Sequence, residues 1–319
     1  MAISARRLPP WLRSPARAVH RHVVLSYPAY VLRNLPRALR PRTFTDYVRR
    51  KMLFDRRPYL TITADKARAR DYVRDKVGEH VLTKAYAIVE DPRTIDWSAV
   101  PRTYVCKATH TTGGIIVVTD DADPDARLPT ATEGRWLRSY VRPEHAPRER
   151  VTEVGLRWVG KRFGWGPGTT HEHQYRHITP RVLVEELLRR PDGELAHDHK
   201  LFVFHGRCEL IKVIGGRMRG KRTDHFRPDW TRVEAMSKSP PSDVPPPRPA
   251  NLDEMVRIAE ALGAETDFVR VDLYDLGDRV VFGELTNTPH AGRGALDPAF
   301  DRWLGTFWAA GRKAGSPPA

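Results

Sequence analysis

The residues best suited to chemistry lie near the C-terminus, in Phe-Val-Arg-Val-Asp-Leu-Tyr at 268–274 and Val-Val-Phe-Gly-Glu-Leu-Thr-Asn-Thr-Pro at 280–289. Side chains alternate along a strand, so Phe268, Arg270, Asp272 and Tyr274 share one face. Asp-Leu-Gly-Asp at 275–278 reads as the turn of a hairpin. A three-residue loop that pairs Asp275 with Arg279 sets Asp272 opposite Phe282 and Glu284 opposite Arg270, which puts Arg270, Asp272 and Glu284 on one face. A two-residue loop throws Glu284 to the other face. Neighbouring carboxylates raise each other's pKa unless a cation sits between them. Mg²⁺ suits such a pair, because it takes one or two carboxylates and fills its remaining positions with water and phosphate oxygens. The other use of the same residues is an exposed Arg–Asp–Glu salt bridge.

Further cations lie upstream. Lys107 ends the apolar run Tyr104-Val105-Cys106 and precedes Ala-Thr-His-Thr-Thr-Gly-Gly at 108–114. A lysine at the mouth of a Gly/Thr loop suits phosphate: N–H groups and hydroxyls donate, and the ammonium supplies point charge. No GxxxxGK[ST] is present, so this is not a P-loop. Arg-Val-Leu-Val-Glu-Glu-Leu-Leu at 181–188 has the form of a strand whose exit meets an adenine through its backbone. Asp198-His-Lys200 leads into Leu-Phe-Val-Phe, and Lys200 alternates to the face opposite Leu201, from which it could reach a bound nucleotide. Arg217, Lys221 and Arg222 form a basic loop that could take phosphate or an acidic acceptor. The histidines at 171, 173, 177, 197 and 199 include no HExxH and no paired CxxC, so zinc is set aside.

The elements that must position these groups are expected as follows. Helices are expected at Ala29–Leu39, at Thr45–Phe54, and at Asp65–Val77 with Thr63 or Asp65 as cap and Gly78 as stop. Strands are expected at Thr103–Lys107, Ile115–Thr119, Arg181–Glu186, Leu201–His205 and Glu209–Ile214. Arg135–Arg142 reads as helical, Ser237–Pro249 as an extended proline-rich loop, and Asn251–Leu262 as a helix with an Asn251/Glu254 capping box. Phe268–Tyr274 and Arg279–Leu285 form the hairpin.

The order of these motifs resembles the ATP-grasp superfamily, most closely its TupA-like branch, named for teichuronopeptide biosynthesis. The resemblance spans roughly residues 41–290, through PRTFTDYVRRKMLFDRRP, TADKARARDYV, YVCKATHTTGG, PRVLVEELL, DHKLFVFHG, FVRVDLY and GELTNTP. It implies an α+β ATP-grasp fold, with two α+β subdomains gripping the nucleotide between antiparallel sheets and a basic helical N-terminal segment. It implies ATP and Mg²⁺ as cofactors. Lys66 and Lys107 then resemble the two nucleotide-phosphate lysines, and Thr111, Thr112, Gly113 and Gly114 a glycine-rich lid. Glu185, Glu186, Leu187 and Leu188 match the adenine hinge, Asp198 a ribose-binding acid, and Lys200 a phosphate contact. Arg270, with Lys107 and Lys200, resembles the groups that steady the transferred phosphate. Asp272 and Glu284 resemble the metal carboxylates. The superfamily often ends its metal motif as Glu-x-Asn; here Thr286 holds the Asn position and Asn287 follows one residue late.

Composition sets the remaining bounds. The 319 residues carry 54 Lys and Arg against 39 Asp and Glu, a net charge of +15. Residues 1–58 hold fourteen of the basic residues and two acids, so a basic head precedes a nearly neutral body. Such a head could meet nucleic acid, an anionic membrane face or an anionic substrate. With 40% hydrophobic residues the chain can fill a core, which excludes wholesale disorder. No apolar run is long enough to span a membrane. Two cysteines make no disulfide framework, and together with the absence of an apolar leader they point to the cytoplasm. The expected organisation is a basic, mostly helical segment at 1–57, a linker and reduced N-terminal subdomain at 58–102, a lid subdomain at 103–188 and a central Mg/ATP subdomain at 189–319. The resemblance implies a carboxylate–amine ligase working through an acyl phosphate, on a small-molecule or glycan-linked carboxylate and an amine of cell-envelope or peptide-like metabolism. Phosphoryl transfer on the same fold, and a binding protein that uses the basic head on nucleic acid or an anionic membrane, are the alternatives.

Overall fold

Two five-stranded sheets organise the chain; the computed structural model describes residues 27–129, 136, 138–163, 170–191, 193, 195–215, 222–234, 239–294 and 296–313. The first sheet holds β1 (Ala85–Val89), β2 (Tyr104–Ala108), β3 (Ile115–Val118), β4 (Arg138–Val141) and β5 (Val182–Glu185), in the order β1-β5-β2-β3-β4. The second holds β6 (Asp198–Phe204), β7 (Arg207–Gly215), β8 (Arg222–Phe226), β9 (Phe268–Asp275) and β10 (Val280–Thr286), in the order β10-β9-β6-β7-β8. Every pairing is antiparallel except β3 with β4. The helices among the described residues are α1 (Tyr27–Leu39), α2 (Phe44–Phe54), α3 (Pro58–Ala64), α4 (Arg68–Lys76), α5 (Arg148–Val159), α6 (Leu252–Gly263) and α7 (Pro298–Lys313). None is long and apolar enough to cross a membrane.

Alternation gives each sheet two unlike faces. On the first sheet Tyr104, Cys106, Ile116, Val118, Val182 and Val184 pack against Val151, Val154 and Trp158 of α5. The opposite face carries a smaller apolar cluster of Val105, Ile115 and Val117, with Tyr140 and Leu187 beside it. On the second sheet Leu201, Val203, Ile211, Val213, Val269, Val271 and Leu273 bury against α4 and α6. Its other face divides. One half is aromatic: Phe202, Phe204 and Phe268 meet Phe44, Tyr47 and Val48 of α2 and Leu304 and Trp308 of α7. Phe268 lies 5.0 Å from Phe44 and 4.7 Å from Trp308, centroid to centroid. The other half, nearer the first sheet, is charged.

Several sequence expectations change. Within the basic N-terminal segment, α2 is built into the aromatic core of the second sheet. Lys51, 3% exposed, fastens α2 to the start of β9 through Thr266 Oγ1 at 3.1 Å, Asp267 Oδ1 at 2.5 Å and the Phe268 carbonyl at 2.9 Å. Residues 1–26 lie outside the described residues. The helix expected over Arg135–Arg142 is β4, an edge strand in which Arg138 and Tyr140 alternate with Ser139 and buried Val141. The helix expected over Asp65–Val77 is split. α3 ends at Ala64, the Asp65 carboxylate accepts from the Ala67 N–H at 3.0 Å, and α4 starts at Arg68. Asn251 makes no cap bond to α6; its amide donates to Asp275 Oδ1 and the Gly277 carbonyl, tying the helix to the hairpin turn.

The hairpin differs most usefully. Asp275 pairs with Val280, so the loop has four residues, and up to Phe282↔Leu273 the register leaves Glu284 on the wrong face. A bulge at Gly283 then shifts the ladder, after which Glu284 faces Asp272 and Thr286 faces Arg270. A Cβ on Gly283 would lie 2.9 Å from the Tyr274 ring and 3.0 Å from the Asp272 carbonyl, so only glycine fits. Gly283→Val is expected to cost about 1–3 kcal/mol, as overpacking does. Chemical denaturation would measure the loss, and stability equal to the parent protein would show that the bulge tolerates a side chain.

Candidate active site

The charged half of the second sheet opens on a cleft of about 620 Å³, lined by Lys66, Lys107, Glu185, Arg270, Glu284 and Thr286 among others. A side cavity of about 140 Å³ runs between Val105, Ile115, Val117, Leu187 and Leu188 on one side and Asp198, Lys200, Asp272 and Phe282 on the other.

Arg270 sits at the centre. Its Nε donates to Asp272 Oδ1 at 2.6 Å, and one Nη donates to Asp272 Oδ2, Glu284 Oε1 and Thr286 Oγ1 at 2.8, 2.8 and 2.9 Å. The expected trio is therefore assembled, although Asp272 and Glu284 are direct cross-strand partners rather than diagonal ones. Lys200 closes the cluster from β6, ion-paired with Asp272 and lying 2.8 Å from Asp198. Burial opposes the charge on Glu284, but Arg270, Lys200, Lys66 and Lys107 outweigh it and hold the carboxyl well below the usual carboxylate range. Burial lowers the Lys200 pKa against the pull of Asp272.

Lys107 leaves β2 on the cleft face and is held by Glu185, which is 5% exposed. Glu185 also accepts from Thr83 Oγ1 at 2.6 Å and lies 3.7 Å from Arg70, whose guanidinium donates to the same Thr83. The side chain of Glu185 thus positions Lys107 rather than facing a base. Glu186 accepts from the Lys84 N–H at 2.8 Å and donates its own N–H to the Lys84 carbonyl at 3.0 Å, which braces the strand exit before Leu187 and Leu188.

Lys66 joins the α3–α4 corner to the Gly/Thr loop. Its N–H donates to the Thr109 carbonyl at 3.2 Å and its ammonium to the Thr111 carbonyl. Burial pushes its pKa down to about 8. Thr111 Oγ1 accepts from the Gly113 N–H at 3.2 Å, Gly114 adopts φ +69°, and a Cβ on Gly113 would strike the Trp136 carbonyl at 1.9 Å. Both glycines are therefore needed where the loop packs on Trp136. Thr112 reaches the cleft.

Asn287 turns away from the trio: its Nδ2 donates to Thr63 Oγ1 of α3 at 2.7 Å. Arg217 and Lys221 lie outside the described residues. Among the cleft residues that escaped the sequence reading is one acid. Glu172, 2% exposed and bonded to Thr288, lines the cleft, and burial raises its carboxyl pKa. The only signal was its place between His171 and His173, a pair considered for zinc. His171 instead packs its ring against Tyr30 at 4.9 Å.

The donor set fits Mg²⁺ in part. Asp272 and Glu284 are hard oxygen donors on one face beside the Thr286 hydroxyl. Among the described residues no group of three or more His, Cys, Asp or Glu comes together. An ion here would be held by two carboxylates and would complete its shell with water and phosphate oxygens.

Two five-stranded sheets thus frame a cationic cleft with paired acids. Residues 168–308, from the cleft wall into α7, match the family described as TupA-like ATPgrasp. Lys66 and Lys107 precede the matched stretch. Among solved structures, the ATP-grasp ligase PsnB complexed with minimal precursor aligns over 79% of this chain at 12% identity and TM-score 0.41. D-alanine-D-alanine ligase from Helicobacter pylori aligns over 78% at 10% identity and TM-score 0.40. The macrocyclase MdnC bound with its precursor peptide MdnA, from Microcystis aeruginosa MRC, aligns over 97% at 10% identity and TM-score 0.37. The alignments cover 61%, 61% and 74% of those three chains. No protein of curated function matches the chain.

The depressed Glu284 carboxyl sets an acid limit. Its folded pKa lies below the unfolded value near 4.3, so its stabilisation is complete above that value and is lost as pH falls through the folded one. Stability is expected to fall below about pH 4, and less steeply in Glu284→Gln. Urea midpoints measured between pH 3 and 6 test this; parallel curves for the two proteins would remove Glu284 from the balance.

Proposed function

We propose that the chain is an ATP-dependent carboxylate–amine ligase. The observation that carries this reading is the convergence of Lys66, Lys107 and Arg270 on one cleft together with Glu284, with Lys200 and Asp272 lining the side cavity that opens beside it. In this reading Val105, Ile115, Val117, Leu187 and Leu188 form the apolar slot for adenine, and the hinge backbone beyond Glu186 meets its edge. Asp198 lies toward the ribose, while Lys66, Lys107 and the Thr111–Gly114 loop take the phosphates. Asp272 and Glu284, with Thr286, hold Mg²⁺, which when bound neutralises phosphate charge.

The reaction needs no nucleophilic side chain. An oxygen of the carboxylate substrate attacks the terminal phosphorus, the bond to the ADP oxygen breaks, and an acyl phosphate forms. An amine then attacks the acyl carbon, phosphate leaves, and the amine loses a proton. Negative charge gathers on the transferred group in the first step and on the acyl oxygen in the second. Preorganised cations beside those atoms lower both barriers. Arg270 is suited to this because the carboxylates on either side hold its guanidinium in place. The setting is cytoplasmic, where ATP is available.

Release of ADP that depends on both a carboxylate and an amine is the direct test. A phosphorylated product in place of free phosphate would assign a kinase instead. Asp272→Asn and Glu284→Gln are each expected to lower turnover at least about a hundredfold with the fold retained by circular dichroism, since each removes an anionic oxygen donor that would hold Mg²⁺ beside the transferred phosphate. Full activity in either variant would dismiss the metal assignment. Lys66 adds a pH signature. Its ammonium is complete below pH 8 and disappears above it, so ADP affinity is expected to weaken about tenfold between pH 7 and 9 if only the charged form binds. Lys66→Arg is expected to flatten that profile, and calorimetry of ADP binding reads it. An unchanged affinity across this range in the parent protein would remove Lys66 from the phosphate site.

A further inference from the structure

The cross-strand registers of the second sheet place five residues in one row. Glu284 pairs with Asp272, Asp272 with Lys200, Lys200 with Lys212, and Lys212 with His225, so the row crosses all five strands on one face. It is graded: two acids on β10 and β9, two lysines on β6 and β7, then a buried histidine on β8. The acidic end and Lys200 belong to the phosphate chemistry above. Lys212 and His225 are two and three strands away from Asp272, roughly 10 and 15 Å at ordinary strand spacing. That is beyond what a transferred phosphate needs.

The basic end opens on a second cavity of about 430 Å³, adjoining the cleft and sharing Lys212, Arg270 and His290 with it. Arg138 enters from β4 of the other sheet, and no Asp or Glu among the described residues lines this cavity. Its opposite wall is apolar, with Phe44 and Val48 of α2 and Phe300 and Leu304 of α7. His225 meets the Phe300 ring at 5.3 Å, so the polar row and the apolar wall join at that point. A cavity with a cationic floor and an apolar wall, reached through Arg270, suits an anion carried on an apolar body.

Building on the ligase reading, we propose that the cavity holds the carboxylate substrate and selects a dianion: one carboxylate presented at Arg270 for phosphorylation, a second anionic group held by Lys212, and an apolar or ring-shaped spacer lying against Phe44, Val48 and Leu304. Lys212 is then a specificity-determining residue, and the helices α2 and α7 wall the substrate as well as covering the sheet. A monoanion of the same shape meets the same apolar wall but makes no ion pair with Lys212, so discrimination rests on that one contact.

The test uses two matched pairs of probes, isophthalate with benzoate and adipate with hexanoate, titrated calorimetrically into the full chain with and without Mg²⁺ and ADP. In at least one pair the dianion is expected to bind tenfold or more tighter than its monoanion. Lys212→Met is expected to erase that preference while leaving ADP affinity within twofold, and Lys212→Arg to retain it. Equal binding within both pairs, binding of no acid, or a preference that survives Lys212→Met would each overturn the proposal. ADP affinity is read separately: failure to bind ADP would defeat the ligase reading, whereas ADP binding without dianion preference would defeat this inference alone.

Discussion

The geometry of the site depends on one bulged residue. A regular antiparallel ladder would carry the register of Phe282↔Leu273 onward and point Glu284 into the core beside α6. An ionised carboxylate there would lose its solvation without gaining a partner, at a cost far beyond that of a local backbone irregularity. The extra residue at Gly283 turns the last three residues of β10 over, so that Glu284 and Thr286 meet Arg270 while Leu285 takes the buried side. The same glycine lets β10 approach the Asp272 carbonyl closely enough to keep the ladder continuous. One position therefore joins the fold to the chemistry.

Around that point the acids serve mainly to hold cations. Asp272 and Glu284 fix the plane of Arg270, Asp272 and Asp198 fix Lys200, and Glu185 fixes Lys107. Each cation is thus ordered in advance, and the entropy of ordering a long flexible side chain is met during folding rather than at the moment of reaction. Such pairs add little to net stability, because desolvation offsets most of the Coulomb gain. Their effect lies in position. The hydrophobic stabilisation comes from elsewhere: from α4 and α6 beneath the second sheet, and from the aromatic packing of α2 and α7 above it.

What could be read from the sequence follows from which signals are local. Alternation within Phe268–Tyr274 is local, so the shared face of Arg270 and Asp272 was legible, as was Lys107 at the end of an apolar strand. The partner of Glu284 was not, because register depends on a turn length and a bulge, and glycine at 283 reads equally well as an ordinary weak strand residue. β4 was misread because a four-residue edge strand with one buried side chain leaves almost no periodic signal; its pairing with β3 decides it. The α3–α4 break was hidden because Asp65 serves as a local turn acceptor inside a run that suits helix throughout. Asn251 resembled a cap, but the hairpin turn competes for the same amide.

The basic N-terminal region shows the limit of charge counting most clearly. Its arginines suggested a head that could meet an anionic partner, yet α2 presents Phe44, Tyr47, Val48 and Met52 to the sheet and directs its charge to specific partners. Lys51 goes to Asp267, Arg49 to the Gly292 carbonyl beside the His290–Ala291 turn, and Arg50 to the Ala38 carbonyl of α1. Net charge measures attraction at a distance, whereas these contacts are set by reach and desolvation. His290 and Ala291 hold φ values of +53° and +51°, a conformation costly for residues with a Cβ, and the Arg49 contact to the following carbonyl helps maintain it. That turn borders both the cleft and the cavity next to it. Within the segment whose charge could have met an external partner, α2 is therefore part of the wall of the cavity beside the cleft.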